Sequence, residues 1–470
     1  MYIVVPVTKR DKPASVPKEQ SGKERLTESN RSAIEGTPMG RNLDVSKDHF
    51  DVSGRGFKQL TSTRDALKMM ISALRKNVLE VEDVNPSDAL HRVLGQDLVS
   101  PIDMPSFDRS AMDGYAVRAV DTYGASVSSP IPLKVVGRNL VVTDVVVRKG
   151  EAYPVVTGGQ VPRGADAVVM IEYAHQSGHD AIEASNEVHP GENVSRVGED
   201  LRKGDLVLRQ GQRLLPQDLG MMASLFIEQV KVKRRLKIAV ISTGNEINDG
   251  PSSSGGIRDV NRPTLLGGIR EMGCEPVDLG IAADELDVIL AKIKQAIEIA
   301  DIILITAGTS VGPRDFVPKV IDQAGKPGIL VHGVAMRPSM PTGLGVVHGK
   351  PIISLPGYPV SAYLAFLEFV PPLVDHLLGS QRLPRPVVRA KLVRRIAGVL
   401  GSRTYIRVRV AEHERIPFAE PVSISGAGIL SSLVRSNGFI IVPENVEGYE
   451  EGQMVDVELF RPVERGNDVG

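Results

Sequence analysis

The 470-residue chain has one cysteine, Cys274, and this scarcity excludes two kinds of stabilising element. A lone thiol cannot form an intramolecular disulfide, and it cannot supply a cysteine-rich zinc site. Cys274 lies in "REMGCEPVDLG" with no partner base nearby. We therefore interpret it as a small buried side chain and not as a nucleophile.

The chain also lacks a charge of one sign and any long apolar run. Its 56 Lys and Arg residues balance 57 Asp and Glu residues, a formal net charge of −1. Composition thus gives no reason to expect a nucleic-acid or membrane partner, and any anion site must be local. No apolar run approaches the roughly 20 residues that span a bilayer, and the opening "MYIVVPV" is too short for a secretory signal. We expect a cytoplasmic protein.

The first part of the chain predicts a disordered extension followed by a helical linker domain. Residues 1–57 are rich in Lys, Glu, Ser, Pro and Gly, a composition that cannot bury enough surface to fold. From Thr63, a plausible N-cap, "TRDALKMMISALRKNVLE" has helical spacing, and "PQDLGMMASLF" predicts a second helix. We expect residues 58–104 and 199–235 to form one helical linker domain, with its two helices side by side.

Three further domains follow from changes in the apolar pattern. Short valine-rich runs between Gly, Pro and Asp turns predict a small inserted β domain at 105–198. Continuous apolar strands such as "LKIAVIST" and "DIILITAG" alternate with amphipathic helices at 236–379. This alternation predicts a doubly wound α/β domain with a parallel sheet covered on both faces. Residues 380–465 read as strands again and predict a C-terminal β domain.

One stretch of that last region, "YIRVRV", shows strict alternation. Its apolar residues Ile406, Val408 and Val410 alternate with Arg407 and Arg409. This pattern predicts a half-buried strand whose arginines face outward.

Ligands of open α/β sheets bind at the carboxyl ends of the strands. Three predicted strands end there in glycine-containing turns: "STGNEI", "AGTSVGPRDF" and "LPGYPVSA". Gly308, Thr309, Ser310 and Gly312 can direct backbone N–H groups and two hydroxyls toward an anion, although the G-K-[ST] of a P-loop is missing. A plain turn with a capping serine explains the same residues equally well.

Carboxylates follow the same strands. Glu246, Asp284 and Asp315 lie in neighbouring turns, and such a group can bind Mg2+ beside substrate phosphates. Any one of these residues, taken alone, is better explained as a solvated loop acid. In the β domain, "MPSFDRSAMDGYAV" contains a turn that explains Asp113-Gly114 but not Asp108, which favours a functional role for that loop.

Seven stretches occur in the order seen in one known family: "PSFDRSAMDGYAV", "VVTGGQVPRGADAVVMIE", "GEDLRKGD", "ISTGNEI", "RDVNRP", "TAGTSVGPRDF" and "LPGYPVSAYLAF". From about residue 58 to 463 the chain resembles the molybdopterin molybdotransferases of the MoeA type, to which the E domain of gephyrin also belongs. The resemblance implies a multidomain α/β plus β fold, with a MogA-like doubly wound α/β domain, an inserted β domain, a helical linker domain and a C-terminal β domain. It also implies an elongated homodimer whose active cleft lies between the α/β domain of one subunit and the β domain of the other.

The family reaction takes adenylylated molybdopterin and molybdate, or tungstate, and releases AMP in a step that needs a divalent cation such as Mg2+. The resemblance implies that a MogA-type partner supplies the substrate and that apo-molybdoenzymes receive the product. It places six residues around the active cleft, of which Glu246 and Asp315 would hold the metal: Asp108, Thr157, Asp200, Glu246, Asp284 and Asp315. It places ten residues on the substrate: Gly308, Thr309, Ser310, Gly312, Arg337, Ser339, Pro356, Gly357, Pro359 and Ser361.

This sequence departs from the family pattern in two places. Many members have Gly-Gly where this chain has Ala307-Gly308, which is a mild change, and the more serious departure lies at 337–341. Relatives commonly have K-P-G-K-P where this chain has Arg337-Pro338-Ser339-Met340-Pro341. Arg337 keeps the first positive charge and suits an oxyanion, whereas Met340 cannot replace the second lysine. The leading hypothesis is an active insertase. A pterin- or nucleotide-binding paralogue that acts as a carrier, regulator or scaffold, and a generic nucleotide-binding enzyme, are the alternatives.

Overall fold

The computed structural model describes residues 60–74, 79–137, 145–250, 256–307, 316–380, 384–423 and 426–465. The predicted disorder of residues 1–57 therefore lies outside the described residues. No helix within these ranges is long and apolar enough to cross a membrane.

The elements up to residue 235 are short. The first described segment contains α1 (Thr63–Ala73), β1 (Val81–Val84), a 3-10 turn (Pro86–Asp88) and β2 (Leu98–Val99). The next contains β3 (Arg109–Ser110), β4 (Gly114–Val117), a 3-10 turn (Ala119–Thr122), β5 (Ile131–Val135), β6 (Glu151–Val155), β7 (Ala167–Met170), a 3-10 turn (Ile171–Tyr173), β8 (Ala174–Gln176), β9 (Ala181–Ala184) and β10 (Val194–Ser195). Then follow β11 (Leu206–Leu208), α2 (Pro216–Ser224) and β12 (Val230–Lys233).

Longer elements follow. They are β13 (Lys237–Thr243), β14 (Ile247–Asn248), β15 (Ile257–Arg258), α3 (Asn261–Glu271), β16 (Glu275–Ala282), α4 (Leu286–Ile299), β17 (Ile302–Ala307), α5 (Val317–Ala324), β18 (Pro327–His332), β19 (Met336–Arg337), β20 (Gly343–Val347), β21 (Lys350–Pro356) and α6 (Pro359–Leu378). The last segment contains β22 (Val387–Leu392), β23 (Ile396–Ala397), β24 (Arg403–His413), β25 (Ile416–Ser423), α7 (Leu430–Val434), β26 (Gly438–Val442), β27 (Gly448–Tyr449), β28 (Met454–Leu459) and β29 (Glu464–Arg465).

The two segments expected to form a helical linker domain come together through strands. β1 pairs with β12, and β2 pairs with β11, both antiparallel. The two helices do not share a core, contrary to expectation. Ala66 and Met70 of α1 pack with α6 of the α/β region, whereas Met222 of α2 packs with Val230 and Val232 of β12. The N-cap of α1 is Ser62 and not Thr63, because the Ser62 hydroxyl accepts the N–H of Asp65 at 3.1 Å.

Residues 114–184 form a sheet with strand order β7-β4-β6-β5-β9-β8. Beside it, β3 pairs with β10. The alternate burial of strands such as β9 matches the valine-rich pattern in the sequence, since one face of each strand packs on the core.

The α/β region has a six-stranded sheet with order β16-β13-β17-β21-β20-β18. Its two faces bury separate cores: Ile238 and Val240 of β13 pack toward α3 and α6, while Ala239 and Ile241 pack toward α4 and α5. The helices thus cover both faces, as predicted. The prediction of a wholly parallel sheet is wrong at one edge, because β20 and β18 run antiparallel to their neighbours. A buried strand reads as a continuous apolar run in either direction, so the sequence cannot separate the two cases.

The C-terminal strands form a closed sheet. β24 pairs with both β25 and β26, and β22 and β28 complete the circuit. β19, from the loop between β18 and β20, joins β24 in parallel, with Arg337 opposite Thr404. This strand ties the α/β region to the C-terminal sheet beside the residues predicted to bind substrate.

Candidate functional site

The carboxyl ends of β13 and β16 lie next to each other, as the sequence predicted for Glu246 and Asp284. The N–H of Asn245 is 3.3 Å from Asp284 Oδ2, and the N–H of Asp284 donates to Asn245 Oδ1 at 3.1 Å. Glu246 and Asp284 are both exposed. Asn245, which the sequence analysis did not single out, thus fixes one acidic loop against the other.

A second set of contacts joins the Glu246 loop to the "LPGYP" turn. The N–H of Ile257 donates to Glu246 O at 2.7 Å, which places the start of α3 beside this loop. Asp259 Oδ1 accepts the N–H groups of Asn261 and Arg262, both at 3.1 Å. Asn261 Nδ2 then donates to Gly357 O at 2.7 Å. The motif "RDVNRP" therefore bridges the ends of β13 and β21.

The predicted substrate residues Pro356, Gly357, Pro359 and Ser361 lie where β21 passes into α6. Pro359 occupies the first turn of α6, a position that suits proline because the missing N–H has no helical partner there. Backbone N–H groups at such a helix start favour a bound anion.

Ser339 is held against this helix start. Its hydroxyl donates to Ser361 O at 2.7 Å, and both residues are buried. Ser339 has a φ of 116°, a region that favours glycine. Ser339 and Ser361 therefore build the wall of the site with groups that are already hydrogen-bonded.

Arg337 lines a cavity of about 330 Å³ between the α/β region and the C-terminal sheet. Arg407 lines the same cavity, and so do Pro338, Gly426 and Ala427. The N–H of Val360 in α6 donates to Ala427 O at 3.1 Å, so the cavity adjoins the start of α6. Met340 is half-buried and is not among the described residues that line this cavity.

Arg407 corrects one prediction from the alternating pattern of "YIRVRV". Arg409 is exposed as expected, but Arg407 is only 3% exposed. Burial lowers the pKa of the Arg407 guanidinium from its ordinary value. Because arginine stays protonated in proteins, the lining of this cavity includes two cationic residues. The alternating pattern of β24 indicates which residues share a face of the sheet. It does not indicate whether another element packs on the face that carries Arg407.

The predicted site residue Asp108 is fixed by two donors. Arg196 Nη1 donates to Asp108 Oδ2 at 2.9 Å, and the N–H of Val197 donates to Asp108 Oδ1 at 2.9 Å. Predicted residue Asp200 is exposed four positions after Arg196, and its N–H donates to Met104 O at 3.0 Å.

Thr157 lies in the turn beside the Asp108 loop. Its N–H and hydroxyl both donate to Asp113 Oδ1, at 2.7 and 2.9 Å. The backbone hydrogen bond and then the hydroxyl bond from Thr157 lower the pKa of Asp113. Asp113 was explained from sequence as a turn residue, and its contact across 44 positions was not foreseen.

Several predicted site residues are not placed by the structure. Gly308, Thr309, Ser310, Gly312 and Asp315 lie outside the described residues. Among the residues that are described, no group of three or more His, Cys, Asp or Glu side chains is arranged to hold a metal ion. Glu246 and Asp284 nevertheless present exposed carboxylates on adjacent loops, a donor set that fits Mg2+ when phosphate oxygens and water complete its shell.

The prediction for Cys274 is confirmed. It is 5% exposed, and burial raises the pKa of its thiol to about 12. Such a thiol is unreactive, so Cys274 belongs to the core.

Fold and site together define a class of protein: a multidomain chain with an α/β ligand-binding sheet, strand-end carboxylates and an arginine-lined cavity. Comparison with known sequences specifies that class. Three sequence families match in chain order: "MoeA N-terminal region (domain I and II)" at 61–226, "Probable molybdopterin binding domain" at 239–376 and "MoeA C-terminal region (domain IV)" at 389–460.

Individual relatives agree over most of their length. The chain is 38% identical to a "Putative molybdopterin biosynthesis protein" of Methanocaldococcus jannaschii, across 86% of this chain and 99% of the relative. It is 33% identical to the molybdopterin molybdenumtransferase of Bacillus subtilis, across 81% of this chain and 90% of that one. The crystal structure of the molybdopterin biosynthesis MoeA protein from Pyrococcus horikoshii superposes with a TM-score of 0.73 at 34% identity, across 86% of this chain and all of that one. The chain belongs to the MoeA family, which confirms the resemblance inferred from sequence.

Proposed function

We propose that the chain is a molybdopterin molybdenumtransferase of molybdenum cofactor biosynthesis. It inserts molybdate, or tungstate, into adenylylated molybdopterin and releases AMP. The observation that carries the proposal is the chain of contacts from the Glu246 loop through Asn261 to Gly357, which joins an acidic edge to the cavity of Arg337 and Arg407. One end suits a cation and phosphates, and the other suits an oxyanion.

Each part of this arrangement has a role in the proposed reaction. Arg337 and Arg407 bind the oxyanion, because planar guanidinium groups match tetrahedral oxyanions and keep their charge. The positive end of the α6 dipole attracts substrate phosphate, although Pro359 has no N–H and the Val360 N–H already donates to Ala427 O. Glu246, with Asp315, would hold Mg2+, which offsets phosphate charge while the pyrophosphate bond breaks.

The homodimer with a shared cleft is part of the proposal, and an exposed apolar surface supports it. Phe107, Met112, Val156, Ile171 and Val197 are each between 40% and 49% exposed. Phe107, Met112 and Val156 are next to Asp108, Asp113 and Thr157 in the sequence. The N–H groups of Val197 and Ile171 donate to Asp108 Oδ1 and Asp113 O from neighbouring segments. A concentration of apolar side chains around polar site residues marks a surface that is covered in an assembly. We propose that the α/β edge of a second subunit covers it.

Reconstitution tests the proposed function. Purified protein is mixed with adenylylated molybdopterin, Mg2+ and molybdate, and AMP release and activation of an apo-molybdoenzyme are measured; tungstate replaces molybdate in a parallel arm. We expect both signals to appear. Glu246→Gln should lose most AMP release, whereas Glu275→Gln should not, since Glu275 is an exposed acid at the opposite end of the same sheet.

The other candidate function defines the contrary outcome. Binding of the nucleotide without AMP release or activation would indicate a pterin carrier, regulator or scaffold. The supply of substrate by a MogA-type partner, the delivery of product to apo-molybdoenzymes and the cytoplasmic location all remain predictions from the sequence.

A further inference from the structure

The contact between Asp113 and Thr157 decides what Thr157 can recognise. A threonine hydroxyl carries one proton and two lone pairs. The Thr157 proton is directed at Asp113 Oδ1 at 2.9 Å, and the Thr157 N–H points to the same oxygen at 2.7 Å. Toward any third group, Thr157 Oγ1 therefore offers only lone pairs.

The loops around this contact are pinned on both sides. The N–H of Gly158 donates to Ser110 O, and the N–H of Ser110 donates to Gly159 O, both at 2.8 Å. On the other side, the N–H of Ile171 donates to Asp113 O at 2.9 Å. Gly114 pairs with Val155 on one side and with Met170 on the other, so the backbone after Asp113 is held between two strands. Thr157 thus cannot reorient cheaply.

An oxyanion is a poor partner for a hydroxyl in this state. Phosphate and molybdate oxygens need a donor, so Thr157 would have to break its bond to an ionised carboxylate. The hydrogen bonds from Thr157 lower the pKa of Asp113, which keeps that carboxylate charged at neutral pH. Its negative charge would also repel a neighbouring oxyanion.

We propose that Asp113 is a positioning residue that fixes Thr157 as an obligate hydrogen-bond acceptor, so that Thr157 recognises an amino or hydroxyl group of the substrate and not its phosphate or the molybdate. The inference deepens the proposed function, since it rests on the placement of Thr157 in the shared cleft. Arg196, which forms an ion pair with Asp108 on the neighbouring loop at 2.9 Å, lies beside the same surface.

A double-mutant cycle on the full-length protein tests the inference. Asp113→Ala frees the Thr157 hydroxyl, and Thr157→Val removes it. Each should lower kcat/KM for adenylylated molybdopterin about tenfold, mainly through KM, as expected for one hydrogen bond made in both the bound and the transition state. The double variant should be no worse than Thr157→Val alone, because residues that act through one contact are not additive.

Two conservative variants separate positioning from folding. Asp113→Asn keeps an oxygen that can accept both Thr157 bonds, and Thr157→Ser keeps the hydroxyl, so both should retain most of the wild-type kcat/KM. Asp205→Ala is the matched control, because Asp205 is an exposed acid that accepts one backbone N–H, from Arg202 at 2.8 Å. Thermal unfolding of every variant checks that the fold is kept.

The same cycle is measured on the Kd for adenylylated molybdopterin, which keeps this inference distinct from the proposed function. If the losses in Kd of the Asp113 and Thr157 variants are non-additive but the protein releases no AMP, the inference is supported and the proposed transferase function is contradicted. Normal turnover together with additive losses in Kd would overturn the inference and leave the transferase function standing. An Asp113→Ala variant with the Kd and kcat/KM of the wild type would do the same. A protein that neither binds nor turns over the nucleotide would overturn both.

Discussion

At the scale of single residues, the structure separates two side chains that the sequence placed together. Arg337 lines the cavity beside Arg407. Met340, where the resemblance led us to expect a second lysine, is half-buried and is not among the described residues that line the cavity. The loss of that lysine is therefore no reason by itself to expect altered activity. What the sequence missed at this scale has one cause: Arg407, Asn245 and Asp113 gain their roles from contacts with distant segments, which local spacing does not record.

Arg337 gives the prediction at this scale. Arg337→Ala should raise the molybdate concentration for half-maximal AMP release about tenfold, the effect of losing one charge-assisted contact. Met340→Lys should leave it unchanged, because Met340 is half-buried and is not among the described residues that line the cavity. The measurement is a molybdate titration of AMP release at fixed nucleotide.

Arg395→Ala provides the matched control, since Arg395 is an exposed cation that pairs with exposed Glu450 at 3.4 Å. An unchanged titration for Arg337→Ala would show that the oxyanion binds elsewhere. A tighter titration for Met340→Lys would show that position 340 faces the ligand after all.

At the scale of elements, regular and buried segments were predictable and short or exposed ones were not. The apolar runs of β13, β17 and β21 and the amphipathic spacing of α4 identified those elements directly. The strands β1 and β2 of the predicted linker domain were not predicted. β1, "VEDV", is mostly exposed and β2 has two residues, so neither shows a period-2 alternation of apolar and polar residues. The antiparallel orientation of β20 was not predicted for a different reason, since all five of its residues are buried and burial on both faces erases the alternation that marks antiparallel strands.

One ion pair anchors the linker strands to the α/β sheet and gives a prediction about elements. Arg234 Nη1 and Nη2 donate to the two oxygens of Asp301, at 2.8 and 2.7 Å, and the N–H of Lys237 donates to Asp301 Oδ2 at 2.8 Å. Burial opposes ionisation of Asp301, but the hydrogen bonds from Arg234 and Lys237 outweigh it and lower the pKa. Stability from this carboxylate is therefore present above the ordinary aspartate pKa and is lost as the pH falls through the lowered value.

Asp301→Asn should lower the free energy of unfolding by about 2 kcal/mol at neutral pH, because it removes charge-assisted bonds from a mostly buried pair. The difference from wild type should shrink in acid, where the wild-type carboxylate is also neutralised. Urea unfolding at the two pH values measures this. The control is Asp456→Asn, whose partner Arg389 is as exposed as Asp456 itself, and which should change the free energy by less than about 0.5 kcal/mol. Equal effects of the two substitutions would contradict the anchoring role of Asp301.

At the scale of the whole molecule, the candidate site falls into two parts on different sheets. Glu246, Asp284 and the α6 start belong to the α/β region. Thr157 follows β6 of the sheet of β4 to β9, and Asp108 precedes β3, which lies beside that sheet. The apolar side chains around Asp108 and Thr157 remain exposed in a single chain. The homodimer with a shared cleft that we propose would account for both facts, because a two-fold axis would bring each part of one subunit to the other part of its partner.

This arrangement predicts complementation between two inactive variants. Asp108→Ala and Glu246→Ala homodimers should each lose most AMP release. Mixed and allowed to exchange subunits, they should recover about a quarter of the wild-type specific activity, because half the dimers are mixed and each mixed dimer has one intact cleft of two. Mixing two Glu246 variants, Glu246→Ala and Glu246→Gln, is the control and should recover nothing. If Asp108 and Glu246 instead belonged to a cleft formed within one chain, each of the two clefts in a mixed dimer would carry one substitution. The mixture of Asp108→Ala and Glu246→Ala would then be as inactive as either homodimer.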